Sequence, residues 1–181
     1  MPRELLRELT KPFTFGLWND VATSSAASRT RMIARSESPT PPTAQVEDAV
    51  LWTDGAARGN PGPAGIGAIL KSQSGEVLYT GSEFLGHTTN NVAEYKAVLL
   101  GLAGALAQGI HSVEVRADSE LLIKQLKGEY RVKSPGLRPL FEEARRLISR
   151  FNSVKLTHIR RELNGEADRL ANQGIDRVGR G

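Results

Sequence analysis

The sequence contains no cysteine, and this absence excludes disulfide frameworks, thiolate zinc sites and cysteine nucleophiles together. It also has no apolar run near the roughly 18 residues that a membrane-spanning helix needs, so we expect a soluble protein with no membrane partner. The hydrophobic fraction of 39% is ordinary. A length of 181 residues is enough for one domain with a substantial core, or for one domain and a tail.

The first 47 residues lack a sustained apolar period. From Thr23 to Pro42 they are a mixture of Ser, Thr, Ala, Arg and Pro, which buries too little apolar surface to offset the entropy lost on folding. We therefore expect residues 1–47 to form a disordered leader ending in a Pro-rich linker. Two alternatives stay open. The first is that translation starts at Met32. The second is that the segment is an organelle-targeting peptide, although its acidic residues count against this.

The net charge of +4 is a mild bias toward polyanionic partners. Residues 1–48 hold six basic and six acidic side chains, which cancel. The remainder of the chain holds 18 of the 24 basic and 14 of the 20 acidic residues, so it carries the whole excess.

From Ala49 onward the apolar pattern predicts alternating strands and helices. Predicted strands lie at 49–53, 65–71, 76–85, 112–117 and 154–159, and predicted helices lie at 91–108, after Ser119, from Pro139 and after Asn164. The order β-β-β-α-β-α-α-β-α predicts three hairpin-joined strands followed by helix-linked parallel strands. We expect an α/β domain over residues 48–178, with a mixed five-stranded sheet, helices on both faces and a short tail at 179–181.

Four acidic residues lie at the edges of predicted elements, where the pattern does not require charge. Asp54 and Asp118 end predicted strands, and Glu94 and Asp168 lie in the first turns of predicted helices. If the two strands are parallel neighbours, their carboxylates meet at one edge of the sheet, where α/β sheets bind ligands. An all-oxygen cluster of like charges suits Mg²⁺ or Mn²⁺. Taken singly, each acid is explained equally well by a turn or by a helix N-terminus.

Four blocks of the sequence resemble the type 1 ribonuclease H family. In order, they are Thr53–Gly55 with Gly59–Gly65, Thr88–Asn91 with Glu94, Ala117–Ser119, and Arg161–Ala171. Each block alone is weak evidence, but the four in this order are highly specific. The resemblance implies the ribonuclease H-like fold with strand order 3-2-1-4-5. It also implies endonucleolytic hydrolysis of the RNA strand of an RNA/DNA hybrid, giving 5′-phosphate and 3′-hydroxyl ends.

The same resemblance assigns roles by position. It implies that Asp54, Glu94, Asp118 and Asp168 are the catalytic carboxylates and hold two Mg²⁺ ions, with Mn²⁺ as an alternative. Asp54, from the central strand, is the expected bridge between both ions. The implied contacts with the hybrid are Gly55, Ala56, Asn60, Thr89, Asn90 and Asn91. A turn at Asn60 and a helix cap at Thr89 or Asn90 account for those residues as well, and both interpretations can hold together.

Two features depart from the family pattern. The segment from Leu126 to Leu140 has no tryptophan-rich basic helix, so the chain resembles the branch that lacks the basic protrusion. The loop at 160–165 contains no histidine, whereas the resemblance implies one that assists product release. We interpret His158, on the preceding strand, as structural, and Arg161 or Glu162 as candidates for the loop role.

Two other functions stay open. One is a catalytically silent nucleic-acid-binding module, which the presence of all four acids disfavours. The other is a transposase, integrase or Holliday-junction nuclease of the same superfamily, which the Asn60 and Thr89–Asn91 blocks disfavour. We expect a cytoplasmic monomer.

Overall fold

The computed structural model describes residues 49–177. Within this range the strands are β1 (Ala49–Ala57), β2 (Gly62–Ser72), β3 (Val77–Thr88), β4 (Ser112–Ala117) and β5 (Ser153–His158). The helices are α1 (Asn90–Ala107), α2 (Glu120–Leu126), α3 (Arg138–Ile148) and α4 (Gly165–Asp176), and Arg161–Leu163 forms a short 3-10 helix. The predicted leader, the predicted tail and Val178, the last residue of the predicted domain, lie outside the described residues.

The five strands form one mixed sheet in the order β3-β2-β1-β4-β5. The pairs β1–β2 and β2–β3 are antiparallel because short turns join them, whereas β1–β4 and β4–β5 are parallel because helices connect them. The order confirms the expected fold. β1 is the central strand, and its residues are largely buried on both faces.

β1 is longer than its sequence pattern predicts. It continues to Ala57 rather than ending at Thr53, so Asp54 lies inside a strand, paired with Gly67 of β2. The small residues that we interpreted as a turn continue the ladder with β2. β4 pairs with β1 only as far as Trp52 and Arg116, so the sheet opens on that side just before Asp54.

Helix α1 packs on one face of the sheet and places several small side chains against it. Ala93, Ala97 and Gly101 are buried, as are the larger Tyr95, Val98 and Leu102, whereas Val92 and Leu99 are half-buried. Small residues on this face let the helix backbone come close to the strands. This short distance matters for the site, because Glu94 lies on the same face.

Helix α4 covers the opposite face and also lies close to the strands. A Cβ atom on Gly67 would fall 2.2 Å from the carbonyl oxygen of Ala167, so only glycine fits beneath the helix. Ala167, Ala171, Gly174 and Ile175 are buried, and Leu170 is half-buried. Because Asp54 pairs with Gly67, the Asp54 side chain shares the face that α4 covers.

Among residues 49–177, no helix has both the length and the apolar composition needed to cross a bilayer.

Candidate active site

Three of the four predicted acids meet at the open end of β1. One carboxylate oxygen from each of Asp54, Glu94 and Asp118 lies within 4.8 Å of the other two. We call these residues the three-carboxylate cluster. Asp118 directly follows β4, as predicted. α1 begins one residue earlier than predicted, so Glu94 lies just beyond the first turn, which holds no acid, and helix-end electrostatics do not explain it.

The contact between β1 and α1 brings Glu94 to the cluster. A Cβ atom on Gly55 would lie 2.2 Å from the Glu94 backbone nitrogen, so any larger residue would separate the two elements. The Gly55 N–H donates to the Glu94 carboxylate, and the Asn90 side chain also hydrogen-bonds to it. A strand glycine and a helix amide therefore orient this acid from two directions.

The cluster is electrostatically costly without a cation. Burial, with the charges of Asp118 and Asp168, raises the pKa of Asp54 to about 7. Burial and the charges of Asp54 and Asp118 raise the pKa of Glu94 to about 9. Glu94 Oε2 is buried and has no hydrogen-bond donor among residues 49–177. An all-oxygen set with an unpartnered buried oxygen fits a hard divalent cation, which would supply both the positive charge and the missing partner.

Asp168 lies beside the three-carboxylate cluster and is not one of its members. It is in the first turn of α4, as predicted, and its charge contributes to the raised pKa of Asp54. Arg161 Nη2 donates to Asp168 Oδ1 over 3.1 Å. The charges of Asp168, Asp54 and Asp118 all raise the pKa of Arg161. Of the two loop candidates, Arg161 is therefore the one whose charge acts on the site.

Asn164 has a different role from the one that its sequence position predicts. It occupies the N-cap position of α4, but its side chain makes no capping hydrogen bond. Instead Nδ2 donates to the Thr53 carbonyl over 2.9 Å and to Asp118 Oδ1 over 3.1 Å. Sequence reasoning missed these contacts because an asparagine just before a helix already has a local explanation.

The predicted hybrid-binding residues lie around the same end of the sheet. Asn60 Oδ1 accepts from the Asn90 backbone N–H over 3.2 Å, which joins the turn after β1 to the start of α1. Thr89 caps α1 by accepting from the Val92 N–H, as expected. Asn60 and Asn91 are exposed, whereas Ala56 is half-buried.

His158 is not a member of the three-carboxylate cluster. It pairs with Ala117 at the end of β5 and shares the strand face of Val154 and Leu156. Its charge acts on Glu120 of α2, which lowers the pKa of that carboxyl after the larger effect of Lys124. His158 is exposed, and its structural role stays a prediction.

Comparison with known proteins agrees with this geometry. Residues 52–174 match the family model described as Reverse transcriptase-like. Ribonuclease HI of Halobacterium salinarum is 38% identical over 151 residues, which cover 81% of this chain and 76% of that protein. The chain belongs to the type 1 ribonuclease H family. The resemblance, the fold and the enzyme class that we predicted are therefore confirmed.

Solved structures place this ribonuclease H among close structural relatives. RNase H1 of Halobacterium salinarum is 40% identical with a TM-score of 0.70, and the match covers 72% of this chain and 98% of that one. LC11-RNase H1, solved in complex with an RNA/DNA hybrid, is 41% identical with a TM-score of 0.69, over 72% and 98% of the two chains. This chain spans 35% of a bifunctional protein of Mycobacterium tuberculosis that it matches at 40% identity.

Proposed function

We propose that this ribonuclease H cuts the RNA strand of RNA/DNA hybrids endonucleolytically and leaves 5′-phosphate and 3′-hydroxyl ends. Asp54, Glu94, Asp118 and Asp168 hold two Mg²⁺ ions, with Mn²⁺ as an alternative. The observation that carries the proposal is the three-carboxylate cluster, in which carboxylate oxygens of Asp54, Glu94 and Asp118 lie within 4.8 Å of one another. Asp54 and Glu94 are buried there, and their pKa values are raised. Folding tolerates such repulsion where it builds a site for a cation.

Each acid has a distinct part in this proposal. When bound, two divalent ions supply an activated water and stabilise the charge on the leaving 3′-oxygen. Asp54 would hold both ions, because its carboxylate lies on the central strand and is influenced by the charges of Asp118 and Asp168. Glu94, fixed by Gly55 and Asn90, completes the coordination together with Asp118.

Arg161 and Asp168 act together at the margin of the site. Their 3.1 Å hydrogen bond fixes the orientation of the Asp168 carboxylate. The guanidinium also supplies a permanent positive charge beside three acids, to which a substrate phosphate can bind before cleavage. We assign Asp168 to orienting water or an ion, and Arg161 to holding Asp168 and the phosphate.

Substrate choice depends on the 2′-hydroxyl group, which distinguishes RNA from DNA. Asn60 and Asn90 lie at one junction beside the cluster, and their side chains present amide donors and acceptors. We assign RNA contacts to the backbone at Gly55 and Ala56 and to the side chains of Asn60 and Asn90. Contacts with the DNA strand and the bases are assigned to Thr89 and Asn91.

Affinity for the hybrid has a second source in a basic segment. Residues 124–150 hold eight basic and three acidic side chains, so their net charge of +5 exceeds the +4 of the whole chain. The segment includes the end of α2, the following loop and α3. It lies where other family members carry the basic protrusion that this chain lacks. We propose that its exposed side chains bind phosphates.

A cleavage panel tests the activity. End-labelled RNA/DNA hybrid, double-stranded RNA, double-stranded DNA and a four-way junction are each incubated with Mg²⁺, Mn²⁺ or EDTA. We expect cleavage of the hybrid alone, abolished by EDTA, with 5′-phosphate ends on the RNA. Cleavage of the junction would favour the resolvase alternative, and hybrid binding without cleavage would favour the silent module.

Three further assignments are also proposals. We propose that residues 48–178 are the catalytic domain, that the enzyme is a monomer and that it is cytoplasmic. Light scattering tests the oligomeric state, and fluorescence microscopy of the tagged chain tests the location. Comparing the activities of proteins that begin at Met1 and at Met32 tests what the first residues contribute.

A further inference from the structure

We infer that Asn164 is a positioning residue that sets the distance between the carboxylates of Asp54 and Asp118. Its effect on metal binding rests on the proposed metal site, and its consequence for catalysis rests also on the proposed hydrolysis of the hybrid. Asn164 is 1% exposed and lies between the 3-10 helix and α4. Its side chain contacts both of the segments that carry these acids.

The amide of Asn164 joins three parts of the site. One hydrogen bond reaches the carbonyl of Thr53, the residue before Asp54, over 2.9 Å. A second reaches Asp118 Oδ1 over 3.1 Å. The backbone carbonyl of Asn164 accepts from the Asp168 N–H over 3.0 Å. One residue thus connects β1, the end of β4 and the turn that carries the fourth acid.

Only a side-chain NH₂ group satisfies this arrangement. Both neighbours, a carbonyl oxygen and a carboxylate oxygen, are acceptors, and the NH₂ offers one hydrogen to each. Rotating the amide by half a turn would place Oδ1 against two oxygens, which fixes the orientation. Asn164 Oδ1 itself is buried and has no partner among residues 49–177. An aspartate, a serine or a leucine at this position would leave at least one of the two acceptors without a donor.

The backbone does not make this connection. The β1–β4 ladder ends at Trp52 and Arg116, so the paired register stops before either acid. Beyond that point, the Asn164 amide hydrogen-bonds to both segments. Because Asp54 and Asp118 repel each other when both are ionised, the separation of the two carboxylates then depends on a group of this kind when no cation is bound. Without the Asn164 amide, we expect metal binding itself to bring the carboxylates together, which lowers the affinity for the metal.

Metal binding by the full-length protein tests this inference without hybrid present. Asn164→Leu removes both N–H donors and keeps a side chain of similar volume. Asn164→Asp removes them and keeps the shape of the side chain. Calorimetric titration with Mn²⁺ should show dissociation constants about ten- to a hundredfold higher in both variants, the usual cost of losing a group that orients a metal ligand. The Mg²⁺ concentration for half-maximal hybrid cleavage should rise in parallel, with a smaller change in KM for the hybrid.

Ile175→Ala is the matched control. Ile175 is also buried in α4, but it packs against Gly65 and lies about two turns beyond Asp168. It should lower the melting temperature while leaving Mn²⁺ affinity unchanged. Asn164 variants that bind Mn²⁺ as tightly as the control would overturn the inference. A wild-type protein that binds Mn²⁺ normally but cleaves no hybrid would overturn the proposed function and leave this test intact.

A measurement on the wild-type protein covers the case in which the variants do not fold. The Asn164 side-chain NH₂ signals in ¹⁵N-resolved NMR spectra should exchange slowly with water and shift on addition of Mg²⁺. The NH₂ group of Asn152, which is exposed, should do neither. Exchange of the Asn164 protons as fast as that of Asn152 would contradict the two hydrogen bonds.

Discussion

A Cβ atom added to Gly55 would lie 2.2 Å from the backbone nitrogen of Glu94. β1 and α1 therefore touch backbone to backbone at the point where two acids of the site emerge. The Gly55 N–H completes the contact by donating to the Glu94 carboxylate. The distance between Asp54 and Glu94 thus depends on a residue with no side chain.

Gly55→Ala should disturb both the fold and the site. The added methyl group meets backbone, which cannot rotate away, so we expect a loss of about 1–3 kcal/mol in the free energy of unfolding. Hybrid cleavage in Mg²⁺ should fall further than this loss explains, because Glu94 moves away from Asp54. Chemical denaturation and cleavage rates measure the two effects. Gly165→Ala is the control, since a Cβ there meets nothing within 4 Å. Equal behaviour of the two variants would show that the close approach at Gly55 is unimportant.

Stability without metal should fall as the pH rises. The pKa of Asp54 is raised from 3.8 to about 7, and that of Glu94 from 4.5 to about 9. Between these values the folded state binds more protons than the unfolded state, so the free energy of unfolding decreases with pH and the loss ends above about pH 9. The melting temperature in EDTA across this range measures the effect. Glu94→Gln should flatten the profile in its upper half, and saturating Mg²⁺ should oppose the decline. A wild-type profile in EDTA no steeper than that of Glu94→Gln would count against raised pKa values.

Asn60→Ala should reduce discrimination between RNA and DNA. The side chain lies at the junction with Asn90, where we place the contact with the 2′-hydroxyl. We expect the ratio of hybrid to double-stranded DNA affinity to fall about tenfold, equivalent to about 1.4 kcal/mol. Filter binding in Ca²⁺ measures both affinities, and Mn²⁺ titration should show intact metal binding. Asn152→Ala, an exposed site elsewhere, is the control. An unchanged ratio in Asn60→Ala would refute this assignment.

The basic segment at 124–150 should dominate the salt dependence of hybrid binding. A double variant, Lys127→Gln with Arg131→Gln, removes two exposed charges from it. The slope of log K against log salt should become shallower by about 0.7–0.9 for each phosphate that the variant no longer neutralises. Lys155→Gln with Arg177→Gln removes the same charge elsewhere and should change the slope less. Equal slopes in the two double variants would place phosphate binding outside the segment.

The sequence predicts the features of this fold that have local causes. Strand and helix order follows from apolar periodicity, and the caps at Thr89 and Ser119 follow from side-chain chemistry at helix starts. The length of β1 could not be predicted in this way, because pairing with β2 continues the strand through residues that favour turns. The contacts of Asn164 are also non-local, since its partners lie 111 and 46 residues away along the chain.

In the candidate site, the identity of the acids could also be predicted from the sequence, whereas contacts that depend on packing could not. Motif spacing identified the four acids, and the structure places three of them in one cluster. Motif spacing did not indicate that Glu94 lies beyond the first turn of α1 or that Arg161 hydrogen-bonds to Asp168. Those facts depend on how closely α1 and the loop before α4 approach β1, which packing determines.

Single-turnover cleavage of an RNA/DNA hybrid by Asp54→Asn in Mg²⁺ is the sharpest test of the two-ion assignment. Asparagine keeps the shape of the side chain but removes the negative charge that, in our proposal, holds both ions. We predict a rate lower by at least about a thousandfold, equivalent to about 4 kcal/mol of transition-state stabilisation. Hybrid affinity should stay close to wild type, and the melting temperature in EDTA should not fall. A variant that cleaves the hybrid at nearly the wild-type rate in Mg²⁺ would show that Asp54 does not hold the catalytic ions.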